Sequence, residues 1–152
     1  MSEYISCPVS HILVNENRVR IVALFVFLAS LTYLLVPYWA IPAFLTIDFF
    51  LRGFGKGRYS LFSILSGWIV RKLSIKDKPI DQAPKLFAAR LGFAMAGLLF
   101  ILDVFFPWQL AYGIAAVLVL FSFLESALGF CAGCYVYSLI KRFFPGALKA
   151  VP

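Results

Sequence analysis

Charge is the scarce quantity in this chain. Only 14% of its residues are Asp, Glu, Lys or Arg, against about a quarter in a soluble domain. That excludes an ordinary water-soluble globule. Acids are scarcest: seven Asp and Glu stand against 14 Lys and Arg, a formal net charge of +7. A basic balance invites nucleic acid as a partner, but the pattern argues against it. The cations sit between apolar runs, where the positive-inside rule puts them in a membrane protein. Histidine occurs once and cysteine three times, so a thiol or metal site has few residues to draw on. No nucleotide loop, haem motif or serine-hydrolase elbow is present. The first 20 residues are polar and lack both an apolar core and a small-residue cleavage site. No cleavable signal peptide is expected, and the first span should itself direct insertion.

What the chain has instead is hydrocarbon. Of 152 residues, 62% are hydrophobic and 17 are Phe. The mean hydropathy is +0.92. These values predict an all-α polytopic membrane protein, one domain, embedded in a lipid bilayer.

Residues 1–20 read as a polar cytoplasmic tail holding Cys7-Pro8, His11 and Asn15-Glu16-Asn17-Arg18. Residues 21–51 form two apolar arms around Pro37-Tyr38-Trp39-Ala40-Ile41-Pro42. Prolines flanking Tyr and Trp suit a tight turn at membrane-interface level. Each arm is shorter than the usual span of about 20 residues, so the pair is either a thin full hairpin or one that stops short. A single kinked helix over the whole stretch would run to about 46 Å, too long for the hydrocarbon core.

Residues 52–85 form a polar connection rich in Lys and Arg, with Asp77 and Asp81 as its acids. That bias marks a cytoplasmic loop. Within it, residues 60–74 are amphipathic at helical period. Leu61, Phe62, Ile64, Leu65, Trp68, Ile69 and Leu73 gather on one side, and Ser60, Ser63, Ser66, Gly67, Arg71 and Ser74 on the other. Val70 and Lys72 break the pattern. This predicts a helix lying in the inner interface.

Residues 86–128 form a second hairpin with Pro107-Trp108-Gln109 at its outer turn, and residues 129–152 carry a short helix and tail. The outer turns lack charge, whereas Lys141, Arg142 and Lys149 close the chain. Four crossings, with both termini in the cytoplasm of a bacterial inner membrane, are the expected topology.

Two groups of residues invite chemistry. Cys131 and Cys134 form a C-x-x-C pair behind Gly129. If Gly129 breaks the last span, Cys131 opens a new helix, whose exposed N–H groups would stabilise a thiolate. Cytosolic pairs of this kind are commonly redox-active, metal-binding or sulfur-handling. In the leading reading, Cys131 is the nucleophile of disulfide or persulfide exchange and Cys134 the resolving thiol. Cys7 would then serve a thioredoxin-like or sulfurtransferase partner. In the alternative, Cys7, His11, Cys131 and Cys134 would make a tetrahedral zinc set. The plainest reading is that the thiols only pack. No cofactor is expected beyond that possible zinc.

The second group is ionic: Asp48, Arg52, Arg90 and Glu125 lie at membrane depth or its inner edge. Asp48 and Arg52 stand at i, i+4 and can pair along one helix. Arg90 and Glu125 are expected to pair across helices, because charges in lipid seek partners. The four either clamp the bundle or line the path of a small solute. A structural or assembly subunit, in a single copy or as an oligomer, is the remaining class. Gly92, Ala96 and Gly97, with Gly113, Ala115 and Ala116, suit close helix packing.

Cys7-Pro8, Asn15-Glu16-Asn17-Arg18, Arg58-Tyr59-Ser60, Ala83-Pro84-Lys85-Leu86-Phe87-Ala88-Ala89-Arg90-Leu91-Gly92 and Gly129-Phe130-Cys131-Ala132-Gly133-Cys134 form a recognisable set. On these motifs the chain resembles a family of small bacterial integral membrane proteins known as a domain of unknown function (domain of unknown function 4395). The resemblance implies a small multi-span membrane protein. It implies that Cys7 and the C-x-x-C belong to one design, and it carries no activity or catalytic residue with it.

Overall fold

The computed structural model describes residues 12–129 and 132–144. The fold is all-α apart from one short ribbon. Strand β1 (Leu13–Asn15) leads into α1 (Glu16–Leu35), and α2 (Ala40–Gly53) follows. A 3-10 turn (Gly57–Tyr59) precedes α3 (Leu61–Lys72), and strand β2 (Pro79–Asp81) comes next. Helices α4 (Ala83–Phe105), α5 (Trp108–Leu128) and α6 (Ala132–Phe143) complete the order.

The first helix begins at Glu16, inside the stretch read from sequence as a tail. The cause is local. Asn15 is an extended N-cap whose side chain accepts from the Asn17 N–H, and Glu16 places a carboxylate in the first turn, where the helix dipole favours it. The ribbon holds this start in place. β1 pairs antiparallel with β2, Leu13 opposite Asp81 and Asn15 opposite Pro79. Asn15 Nδ2 donates to Asp77 Oδ1 at 2.6 Å, Asn17 Nδ2 to the Lys76 carbonyl at 2.9 Å, and Lys78 meets Glu16 at 2.9 Å. A three-residue strand with no alternating pattern is hard to read from sequence.

Both proline-marked turns fall where the sequence predicts. α1 ends at Leu35 and α2 starts at Ala40; α4 ends at Phe105 and α5 starts at Trp108. Pro42 lies in the first turn of α2, where its missing N–H costs nothing. Three helices are long and apolar enough to cross a membrane: Glu16–Leu35, Lys85–Phe105 and Trp108–Leu128. The 14 residues of α2 reach only about 21 Å, against a hydrocarbon core of about 30 Å.

The helices pair across the two halves of the chain. α1 packs chiefly on α5 and α2 chiefly on α4, while α1 and α2 touch lightly. The core is built from Val22, Val26, Tyr33, Leu45, Phe49, Ala96, Leu99, Ala111, Ala115 and Leu118. Small residues set the approach. At Gly92 a Cβ would overlap the Phe49 ring, and at Gly53 it would sit 3.2 Å from the Arg90 backbone nitrogen. Gly97 and Gly113 meet no such neighbour, so only part of the small-residue pattern serves packing.

α3 lies as a separate helix along α1. Ser60 caps it, accepting from the Ser63 N–H. Its inward face draws on both sides read from sequence: Ser60 and Ser66 from the polar side are fully buried, and Phe62 from the apolar side and Val70 are buried with them. Val70, which spoils the amphipathic pattern in sequence, is therefore a core contact. Leu61, Ile64, Leu65 and Trp68 point outward and are exposed. In α6, Tyr135, Leu139 and Phe143 are likewise exposed at i, i+4 and i+8, forming a second outward apolar stripe.

A cation-lined cleft as the candidate functional site

The start of α1, the end of α2, the starts of α3 and α4, and the end of α5 meet at one end of the bundle. Their polar side chains form a connected set. Asp48, only 2% exposed, accepts from Arg52 Nε at 2.8 Å and from the Ser60 hydroxyl at 2.5 Å. A buried carboxylate therefore stands at the α3 N-terminus, where the N–H groups favour it. Lys85 donates to Glu125 at 2.8 Å, bridging α4 and α5. Arg18 donates to the Ser63 carbonyl at 2.9 Å and to its hydroxyl at 3.1 Å, bridging α1 and α3.

Arg90 does not pair with Glu125 as the sequence suggests. Its Nε donates to the Gly53 carbonyl at 3.0 Å, the negative end of the α2 dipole. Lys85, one and a half turns earlier on α4, takes the carboxylate instead. The four expected residues therefore divide into three separate contacts. Asp48–Arg52 is an ion pair, Glu125 belongs to Lys85, and Arg90 ties α2 to α4.

Between these contacts lies a cleft of about 580 Å³, within the usual range for ligand pockets. Arg18, Arg52, Arg58 and Lys85 line it with one carboxylate, Glu125. Asn15, Ser63 and Gln82 add polar groups at the same level. The Nη2 atom of Arg52 is buried and has no hydrogen-bond partner among the described residues. Such a group is costly unless something else satisfies it. Asp48 and Arg90 do not line the cleft. They hold the helices that do.

Gly129 stands beside this end. It caps α5 in the left-handed conformation, with φ of 66°. A Cβ at this position would collide with the Arg20 guanidinium and come within 3.0 Å of Glu16 Oε1. The helix does break where the sequence suggests, and α6 starts at Ala132. Cys7, His11 and Cys131 lie outside the described residues, and the Cys134 side chain is not among those described. The thiol pair and the Cys7–His11–Cys131–Cys134 zinc set therefore stay with the proposals. Among the described residues, no cluster of three or more His, Cys, Asp or Glu could hold a metal.

Several residues of the cleft escape sequence reasoning. Lys85 reads as a loop cation, and Arg18 as part of a tail. The helix-start signal Asn15-Glu16 and the cap Ser60-x-x-Ser63 were the available clues. At the far end of the bundle, Asp103 also holds a buried partner. It accepts from the hydroxyl of Tyr33 at 2.5 Å, and Tyr33 is fully buried.

Three membrane-length apolar helices around a core, with one charged end, define a small helical membrane protein. The chain belongs to the family described as a domain of unknown function (DUF4395), whose model matches residues 14–142. No curated protein and no solved structure matches it.

Proposed function

We propose that this is a membrane-embedded anion-binding protein whose cleft opens at the cytoplasmic face. One observation carries the reading: Arg52 Nη2 is buried without a hydrogen-bond partner among the described residues in a wall it shares with Arg18, Arg58 and Lys85. Asp48 pairs with Arg52 and Glu125 with Lys85, so the four cations keep an excess of positive charge over these two carboxylates, and an anion would satisfy both that charge and the orphaned donor. The function is binding or carriage of a small anionic solute, the sharpened form of a solute path.

The same reading gives the topology. Arg18, Arg20, Arg52, Arg58 and Lys85 sit at one end, and Tyr38, Trp39 and Trp108 in the opposite turns. By the positive-inside rule the charged end is cytoplasmic in a bacterial inner membrane. The hairpin of α1 and α2 then completes four crossings, α2 thinning the bilayer locally. α3 and α6 lie in the inner interface with their apolar stripes in lipid.

Anion-dependent thermal stabilisation of the purified protein tests the function. Sulfate, phosphate and acetate should raise its melting temperature where chloride does not. Arg58→Gln, at an exposed position, should weaken that effect by about tenfold, one charge-assisted hydrogen bond. No anion-specific stabilisation in the wild-type protein would sink the reading.

A second reading is favoured by the left-handed Gly129 and the restart at Ala132, which place a helix start inside the C-x-x-C motif. Here the Cys131 thiolate attacks a partner disulfide. Cys134 then displaces the partner as a dithiol, leaving a Cys131–Cys134 disulfide. The partner would be thioredoxin-like or a sulfurtransferase, with Cys7 as relay. Mild oxidant should add a disulfide that dithiothreitol removes. One tight zinc per chain, lost in Cys7→Ser, would replace this reading with a metal-stapled face.

A further inference from the structure

We infer that the cleft takes an amphiphile, its anionic head among Arg18, Arg52, Arg58 and Lys85 and its apolar tail between α1, α4 and α5. The inference rests on the anion-binding reading and names its ligand class. The argument is the composition of the cleft with depth. Its charged side chains all lie at the end of the bundle. Below them the lining is Val22, Val26, Ala89, Met95, Leu118 and Phe121.

From Arg18 to Val26 the wall descends about 12 Å, from Lys85 to Met95 about 15 Å, and from Glu125 to Leu118 about 10 Å, at about 1.5 Å per residue. Three helices thus agree on a charged mouth over an apolar shaft. The polar residue in the shaft, Ser122, offers no free proton. Its hydroxyl donates to the Leu118 carbonyl at 2.6 Å or the Val119 carbonyl at 3.1 Å.

A shaft with that lining does not hold water well, because buried water needs two to four polar partners. A bare inorganic anion would occupy the mouth and leave the shaft empty. A carboxylate or phosphate with an alkyl chain matches both parts. Such a group comes either from a free fatty acid or alkyl phosphate, or from an anionic lipid of the surrounding leaflet.

Photocrosslinking tests this on the full chain in nanodiscs of zwitterionic lipid. The probe is a decanoic acid analogue with a diazirine at its tail end, and adducts are mapped by peptide mass spectrometry. Adducts are expected at the shaft, near Val26, Met95 and Leu118, competed by decanoate at concentrations far below those at which acetate or phosphate competes. Met95→Trp, at a half-buried position of the same shaft, should narrow it and cut labelling there by about tenfold.

Adducts confined to outward residues such as Leu24, Leu28 and Phe123 would overturn the inference. So would competition by phosphate as potent as that by decanoate together with unchanged labelling in the Met95→Trp variant, but that result leaves the anion reading standing. Equal shaft labelling by the matching alcohol, together with no anion-dependent stabilisation of the wild-type protein, would overturn both. Anionic phosphatidylglycerol in the nanodisc separates the sources: loss of labelling there identifies the bilayer lipid as ligand, and undiminished labelling identifies the free amphiphile.

Discussion

Removing the Asp48 carboxylate should cost more stability than any other single change at the charged end. Its oxygens serve Arg52 at 2.8 Å and Ser60 at 2.5 Å, and its side chain is 1% exposed. At 2.8 Å and an effective dielectric constant of about 20, the gross attraction is about 6 kcal/mol. Desolvation of both ions offsets part of it, so the pair itself contributes little net stability. Breaking it is different. Asp48→Ala leaves a buried guanidinium without its counter-charge, a loss of about 3–5 kcal/mol, or on the order of 10 °C in melting temperature. The double variant Asp48→Ala with Arg52→Met removes both charges and should recover most of that loss. Asp48→Asn keeps an acceptor for Ser60 and should fall between. Thermal unfolding in maltoside micelles measures all of these. Additive losses in the cycle would show that the two side chains are not coupled, and would refute the placement of the clamp.

Three further outcomes follow from the packing. Gly92→Ala should destabilise by about 1–3 kcal/mol through overpacking against Phe49, and adding Phe49→Leu should restore most of it in the same melt. Glu125→Ala should couple with Lys85→Ala and be additive with Arg90→Ala; the reverse pattern would refute the observed pairing. Trp68, 55% exposed on the outward face of α3, should be quenched most by lipids brominated near the headgroup, and strongest quenching from the bilayer centre would refute an interfacial α3.

What could be read in the sequence was set by how strong each signal is. Pro37, Pro42 and Pro107 fix φ and interrupt apolar runs, so the helix ends near them were legible. Gly129 was legible because a left-handed residue after a long helix is a common stop. The start of α1 was not, because Asn15-Glu16-Asn17-Arg18 is polar and looks like a tail until the cap and the ribbon are seen together. Pairing across helices was least legible. Arg90 and Lys85 are both cations near the same helix start, and sequence depth alone cannot say which meets Glu125. The answer depends on rotation about the α4 axis, which Gly92 fixes by admitting the Phe49 ring. The amphipathicity of α3 was visible, but its sense was not. In lipid most of the apolar face turns outward, and the serine face, with Phe62 and Val70 beside it, becomes the packing face.

The crosswise pairing of helices bears on how the chain is made. α1 and α2 are made before their partners exist, and they offer each other little surface. Their grooves must await α5 and α4, and the strand that fastens the start of α1, Pro79–Asp81, is made after them as well. The amino-terminal half is therefore an incomplete template, exposed to whatever else is being inserted nearby. It is fixed only when the carboxy-terminal half threads its two helices into place. Maturation in such a molecule is a late, single locking event, and a chain stalled between α3 and α4 would be a ready substrate for membrane quality control.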